Sequence, residues 1–212
     1  MTSLATGAEM RLQGPINGPA VVCLNGGQRA AVEGTWSATL EWLVGQLAPR
    51  FPQLRFAEVR YRIKSWQKLP DCIEDARAAI RAVGAERTLL IGFSMGGAVS
   101  SVAADEPSVE GLLGLAPWFP ERLSLEALAG KRLRVLHGSL DRALPGVPGV
   151  SPELSRRGFD RAVALGAHGE YTLIPGGVHG LALRAPWGRT LPLPRAARWS
   201  ELAAAEVERF AG

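Results

Sequence analysis

Six short runs rich in β-branched and large apolar residues, separated by stretches with helical spacing, restrict this chain more than any other feature. The runs are Val21 to Leu24, Arg55 to Tyr61, Thr88 to Gly92, Val109 to Leu115, Leu133 to His137 and Tyr171 to Ile174. Several are apolar without interruption, which suits strands covered by helices on both faces. An earlier run, Glu9 to Gln13, precedes the Gly/Pro-rich GPING segment and is expected to pair antiparallel at one edge.

Between these runs the periodicity changes. Trp36, Leu40, Leu43, Val44 and Leu47 repeat at helical spacing behind Thr35, and Pro49 and Pro52 stop the pattern. Cys72, Ile73, Ala76, Ile80 and Val83 share a helix face, with Pro70 in the first turn and Gly84 just past the end. Ser151 and Pro152 open a further helix, with Leu154, Phe159, Ala162, Val163 and Leu165 as its expected core positions before Gly166. A last helix is expected from about Ser200 to Phe210. The alternation predicts an α/β fold, a three-layer α/β/α sandwich around a mostly parallel central sheet with right-handed crossovers. Its 212 residues fit one domain spanning the chain, 1–212.

Composition narrows the function classes. Apolar residues are 47% and charged residues 21%, near the globular average, and no apolar run approaches the length of a membrane span. The N-terminus lacks a basic start followed by an apolar segment, so the expected location is cytoplasmic, with no membrane partner. The net charge is +4, and all basic residues but Lys64, Lys68 and Lys131 are arginine, scattered without interleaved aromatics. No nucleic-acid partner is expected from that distribution. Cys23 and Cys72 lack CxxC spacing and fall in apolar elements, so they read as buried free thiols rather than a bridge or metal site.

Ligands of parallel sheets bind beyond the carboxyl ends of the strands, which confines the search for chemistry. After TLLI comes Gly92-Phe93-Ser94-Met95-Gly96-Gly97, and the helix-compatible AVSSVAADE follows. GxSxG between strand and helix makes a tight turn that lifts the Ser94 hydroxyl above the sheet. The bland alternative is a glycine-rich turn with an incidental serine. A phosphate loop fits poorly, because neither GxxxxGK[ST] nor GxGxxG is present.

A serine nucleophile needs a base held by a carboxylate. Of five aspartates, Asp71, Asp75, Asp105 and Asp160 belong to helices or their ends, and Asp141 alone follows a strand directly. Of three histidines, His179 lies in IPGGVHG after the last strand, where flanking glycines leave the backbone free to aim the ring. His168 precedes that strand and is expected to face solvent. His137 ends the strand before Asp141; a structural hydrogen-bonding role is favoured, with direct catalysis the alternative. The order Ser, Asp, His selects His179. For the oxyanion, the turn Asn25-Gly26-Gly27-Gln28 after the first core strand offers the Gly27 amide, with Gln28 as the register alternative, beside the amide of Met95.

Together these segments resemble the α/β-hydrolase superfamily, in particular its small, cap-less serine esterases of the dienelactone-hydrolase-like branch. GFSMGG resembles the nucleophile elbow, HGSLDRALP the HGxxDxxVP acid segment and GGVHG the histidine loop, and the likeness extends over almost the whole chain. LNGG departs from the common LHGG, placing Asn25 where histidine is frequent. The resemblance implies Ser94 as nucleophile, Asp141 as orienting acid, His179 as base, and Gly27 and Met95 as oxyanion donors. About fifteen residues separate Leu115 from Lys131, too few for the cap many relatives insert there. Asn25, Gln28, Trp118, Phe119 and Trp187 are the expected substrate contacts, with ordinary packing the alternative for the PWFP aromatics, and Ala185 to Arg198 forming a pocket wall or covering a core edge.

The implied activity is hydrolysis of small to medium carboxylic esters through an acyl-enzyme, with no metal and no organic cofactor. A thioesterase or acyltransferase would use the same residues. A non-catalytic ligand-binding or interaction module is the alternative of another class.

Overall fold

The computed structural model describes residues 1–142 and 149–212. In chain order its elements are β1 (Thr2–Ser3), β2 (Glu9–Gln13), β3 (Ala20–Leu24), β4 (Val32–Glu33), α1 (Ala38–Leu47), β5 (Arg55–Arg60), β6 (Ile63–Lys64), α2 (Leu69–Val83) and β7 (Thr88–Phe93). Then follow α3 (Met95–Ala103), β8 (Val109–Leu115), β9 (Arg132–Gly138), α4 (Pro152–Ala164), β10 (His168–Ile174), β11 (Ala182–Arg184), β12 (Thr190–Pro192) and α5 (Ala196–Ala211).

Eight strands form one sheet in the order β1-β2-β5-β3-β7-β8-β9-β10. Every pairing from β5 to β10 is parallel, and β2 joins β5 antiparallel as expected, but the two-residue β1 pairs outside it and takes the edge. The continuous apolar runs have a direct physical cause. Val21 and Cys23 point into one core layer with Leu40, Leu43, Trp199 and Val207 of α1 and α5. Ala20, Val22 and Leu24 point into the other, with Cys72, Ile80, Val99 and Phe159 of α2, α3 and α4. A strand buried on both faces has no polar side to alternate with.

Helix boundaries follow local hydrogen bonding. Ser37, not Thr35, caps α1, its hydroxyl accepting the Leu40 N–H at 3.3 Å. Thr35 is engaged elsewhere, its carbonyl accepting from Asn25 Nδ2 at 2.8 Å and its hydroxyl from Lys64 Nζ at 2.7 Å. Pro70 lies in the first turn of α2, and Gly84 ends it in the left-handed region at φ 64°. In α4 the buried stripe is Ser155, Gly158, Phe159 and Ala162. Val163 and Leu165, expected in the core, are exposed: Val163 falls to the side of that stripe, and Leu165 is the C-cap beyond the helix. The last helix starts at Ala196 rather than Ser200, and His168 is the exposed first residue of β10 rather than part of the preceding connection.

The connection from β8 to β9 contains only a 3-10 turn, Glu126–Leu128, and no cap is present among the described residues. No helix among them is long and apolar enough to cross a membrane. The two cysteines are free and buried. Burial pushes the Cys23 thiol well above its usual range and the Cys72 thiol up to about 11, which makes both poor nucleophiles.

The chain passes from β3 to β5 on one side and then to β7 on the other, so strand order reverses around β3. The carboxyl ends of β3 and β7 lie side by side, with Leu24 opposite Gly92. That switch point is where an open α/β sheet leaves a crevice.

Candidate active site

Strand β7 ends at Phe93 and α3 begins at Met95, leaving Ser94 alone between them. Its backbone adopts φ 53°, ψ −118°, a conformation that residues with a Cβ rarely take. Three main-chain hydrogen bonds impose it. The Ser94 N–H donates to the Leu115 carbonyl at 3.0 Å, and the Ser94 carbonyl accepts from Gly97 and Trp118, both at 2.9 Å. Glycine is required on either side by close approach. A Cβ at Gly96 would lie 2.1 Å from the Leu24 oxygen, and one at Gly92 would lie 2.5 Å from the Gly96 oxygen.

Asp141 and His179 meet beyond the neighbouring pair β9 and β10, whose ends are in register at Gly138 and Ile174. The Leu140 N–H donates to the Gly177 carbonyl at 2.9 Å, which ties the acid turn to the histidine loop. His179 Nδ1 then lies 2.7 Å from Asp141 Oδ2. With Nδ1 donating to the carboxylate, Nε2 is left as the basic nitrogen. The Asp141 side chain is fully buried and that of His179 is 15% exposed. Burial alone would raise the Asp141 pKa, but N–H donation from His137 and His179 outweighs it and holds the carboxyl below its usual range. His179 is linked to the serine turn through Phe93, whose ring centroid is 5.1 Å from that of the imidazole. No hydrogen bond joins Ser94 to His179 among the described residues. The end of the expected acid segment, residues 143–145, lies outside the described residues.

The turn after β3 lies against the same serine. A Cβ at Gly26 would be 3.3 Å from Ser94 Cβ, and one at Gly27 would be 2.2 Å from Met95 Sδ. Gly27 backbone and Met95 are therefore in contact. Met95 is the first residue of α3, and its N–H has no acceptor within the helix. The turn after β3 and the start of α3 are thus adjacent at the Ser94 turn.

Ser94 borders a cavity of about 210 Å³ lined by Trp66, Met95, Trp118, Gly149, Val150 and Leu154. The two indoles stand 6.1 Å apart at 49° and form its aromatic wall. A larger depression of about 370 Å³, lined by residues such as Pro19 and Arg87, sits at the amino ends of β3 and β7, the wrong edge for chemistry.

Of the expected substrate contacts, Trp118 lines the cavity. Gln28 supports it from behind, its carbonyl accepting the Trp66 N–H at 3.0 Å. The other three are placed elsewhere. Asn25 is buried and its amide donates to the Thr35 carbonyl. Phe119 is 1% exposed and packs on Gly158 of α4. Trp187 is 69% exposed in the turn of the β11-β12 hairpin, which packs on α1, so Ala185 to Arg198 covers a helix rather than walling the cavity. Trp66 and Val150 went unrecognised in the sequence, and Leu154, expected as a core position of α4, is half-buried and lines the cavity instead. Trp66 has a usable signal, since it follows β5 within a few residues at the carboxyl edge.

No protein-family model and no curated protein sequence matches the chain. Solved structures do. MGS-M1, an alpha/beta hydrolase enzyme from a Medee basin deep-sea metagenome library, superposes with a TM-score of 0.71 at 16% identity, over 97% of this chain and 93% of its own. The chain has the α/β-hydrolase fold. An esterase from Exiguobacterium antarcticum shares this fold at TM-score 0.67 and 13% identity, covering 97% of this chain and 98% of its own. An alpha-beta serine hydrolase homologue from Coxiella burnetii does so at 0.66 and 17%, covering 94% and 91%.

Proposed function

We propose that the protein is a serine hydrolase that cleaves small to medium carboxylic esters. One observation carries the reading: the buried Asp141 carboxylate accepts His179 Nδ1–H at 2.7 Å, beyond the same sheet edge at which the backbone forces Ser94 into a positive φ. Strain of this kind persists only where surrounding structure imposes it, and it concentrates at functional sites.

In the proposed reaction Ser94 Oγ forms a bond to the ester carbonyl carbon while His179 Nε2 takes the hydroxyl proton. The carbonyl π electrons move to oxygen, and the Gly27 and Met95 amides stabilise that oxyanion. Collapse expels the alcohol, which leaves with the proton held on Nε2. Water then attacks the acyl-enzyme, giving its proton to Nε2, and Ser94 leaves with that proton as the acid is released. Asp141 stabilises the imidazolium throughout.

The size and chemistry of the cavity support the substrate class. At about 210 Å³ it is smaller than the roughly 300–1,000 Å³ of sites for drug-sized ligands, and its walls are mainly aromatic and aliphatic. A short acyl chain fits that description. Hydrolysis of p-nitrophenyl acetate and butyrate by the unmodified protein and by Ser94→Ala tests the reading. Turnover that falls more than about 10,000-fold in the variant is expected. Equal rates in the two proteins would refute it.

A further inference from the structure

The carboxylate that meets His179 is shared with a second imidazole. His137, next to last in β9, is fully buried, and its Nε2 lies 3.0 Å from Asp141 Oδ2, the oxygen that also meets His179 Nδ1. The same Nε2 is 2.9 Å from the Val150 carbonyl oxygen. Both neighbours are acceptors, so the proton of the neutral ring resides on Nε2. The Val150 N–H in turn donates to Asp141 Oδ1 at 3.2 Å. His137, Asp141 and Val150 thus form a closed ring of hydrogen bonds, and Val150 is also part of the cavity wall.

The geometry points to His137 as a positioning residue: its Nε2–H fixes the Asp141 carboxylate and takes up part of the charge on Oδ2 that would otherwise act on His179. This inference rests on the hydrolase reading above. Asp141 receives three N–H groups, and two converge on one oxygen. An acceptor shared between two donors attracts each less strongly than it would alone. His137 therefore tempers how strongly the acid favours the charged form of His179, while keeping the acid itself ionised and oriented.

The other groups facing His137 come from two elements. On β10, Tyr171 stacks on its ring at 6.3 Å and 11°, and sends its hydroxyl away to the Pro152 carbonyl at 3.0 Å. On α4, Glu153 sits exposed in the first turn, and the Arg156 guanidinium lies 5.3 Å from the Tyr171 ring centroid. His179 faces Phe93 and Asp141. Among the described residues, Asp141 is the one charged group that contacts both imidazoles.

The test compares the pH dependence of kcat/KM for p-nitrophenyl butyrate in the unmodified protein, His137→Phe and His137→Gln. Phenylalanine fills the ring's space without a donor, whereas glutamine returns an N–H near the Nε2 position. In His137→Phe the full charge of Oδ2 falls on His179, so the imidazolium is favoured and the acid limb moves to higher pH by roughly 0.5–1 unit. His137→Gln is expected to restore the original limb. Unchanged limbs in an active His137→Phe variant would overturn the inference while leaving the hydrolase reading intact, because a group that only packs shifts stability and not the profile. An unmodified protein without turnover would overturn the hydrolase reading, and with it this one. Nitrogen-15 NMR of the histidine side chains in the unmodified protein covers the case in which His137→Phe does not fold. A proton on His137 Nε2 supports the assignment, and a neutral ring protonated on Nδ1 instead overturns it.

Discussion

The backbone N–H of Trp118 donates to the carbonyl of Ser94 at 2.9 Å, and the Trp118 indole walls the cavity that Ser94 borders. The residue that shapes the cavity is thereby indexed to the candidate nucleophile through the main chain. Replacing the Trp118 side chain leaves that hydrogen bond in place, so pocket size can be changed without moving the serine.

Trp66 faces Trp118 across the cavity, and Trp66→Ala opens the same space from the other side. The ratio of kcat/KM for p-nitrophenyl octanoate over acetate is expected to rise about tenfold in either Trp66→Ala or Trp118→Ala. Each methylene accommodated in an apolar pocket contributes about 1–3 kcal/mol to discrimination. An unchanged ratio in both variants would show that the acyl chain lies elsewhere.

Two glycines near Ser94 separate stability from activity. A Cβ at Gly96 meets the Leu24 carbonyl at 2.1 Å, a backbone atom of the central strand that cannot move aside. Gly96→Ala is therefore expected to lower unfolding free energy by about 3 kcal/mol or more in urea melts. At Gly27 the obstacle is Met95 Sδ at 2.2 Å, the flexible part of a side chain. Gly27→Ala is expected to fold with a smaller loss of stability while kcat drops about 10- to 1,000-fold if the Gly27 amide is the oxyanion donor proposed above.

Asp141 gives the stability a pH signature. Its folded pKa is held below the ordinary value, so its contribution is fully present above the unfolded pKa of about 4 and is lost as pH falls through the folded value. Urea midpoints measured from about pH 7 down to about pH 2.5 should therefore decline at the acid end. In Asp141→Asn that part of the decline is absent, leaving a flatter acid limb.

The legible parts of this protein were those set by strand order and by local sterics. The βα alternation and doubly apolar runs gave the sheet, because burial on both faces removes alternation from the sequence itself. Gly92 and Gly96 mark the Ser94 turn because no other residue fits against the Leu24 and Gly96 carbonyls. Asp141 and His179 stood out by following strands at the carboxyl edge, and the structure brings them into contact. The side chains around them were harder to read, because a residue's position at the edge does not fix where it points. Asn25 occupies the expected turn but directs its amide to Thr35, while Phe119, adjacent to Trp118, faces the opposite way into the α4 layer. Trp66 comes to the cavity through a two-residue strand, β6, whose pairing with β4 carries no periodic pattern. The second histidine on Asp141 follows from i, i+4 spacing across a turn, which is visible only once the turn is folded.

Labelling by a fluorophosphonate, followed by intact-mass measurement and peptide mapping, tests the central claim that Ser94 is a nucleophile activated by His179 and Asp141. The account predicts one adduct per chain, mapped to Ser94, absent in Ser94→Ala and slowed at least about 1,000-fold in His179→Ala. Labelling at another residue, or at an undiminished rate in a folded His179→Ala variant, would contradict it.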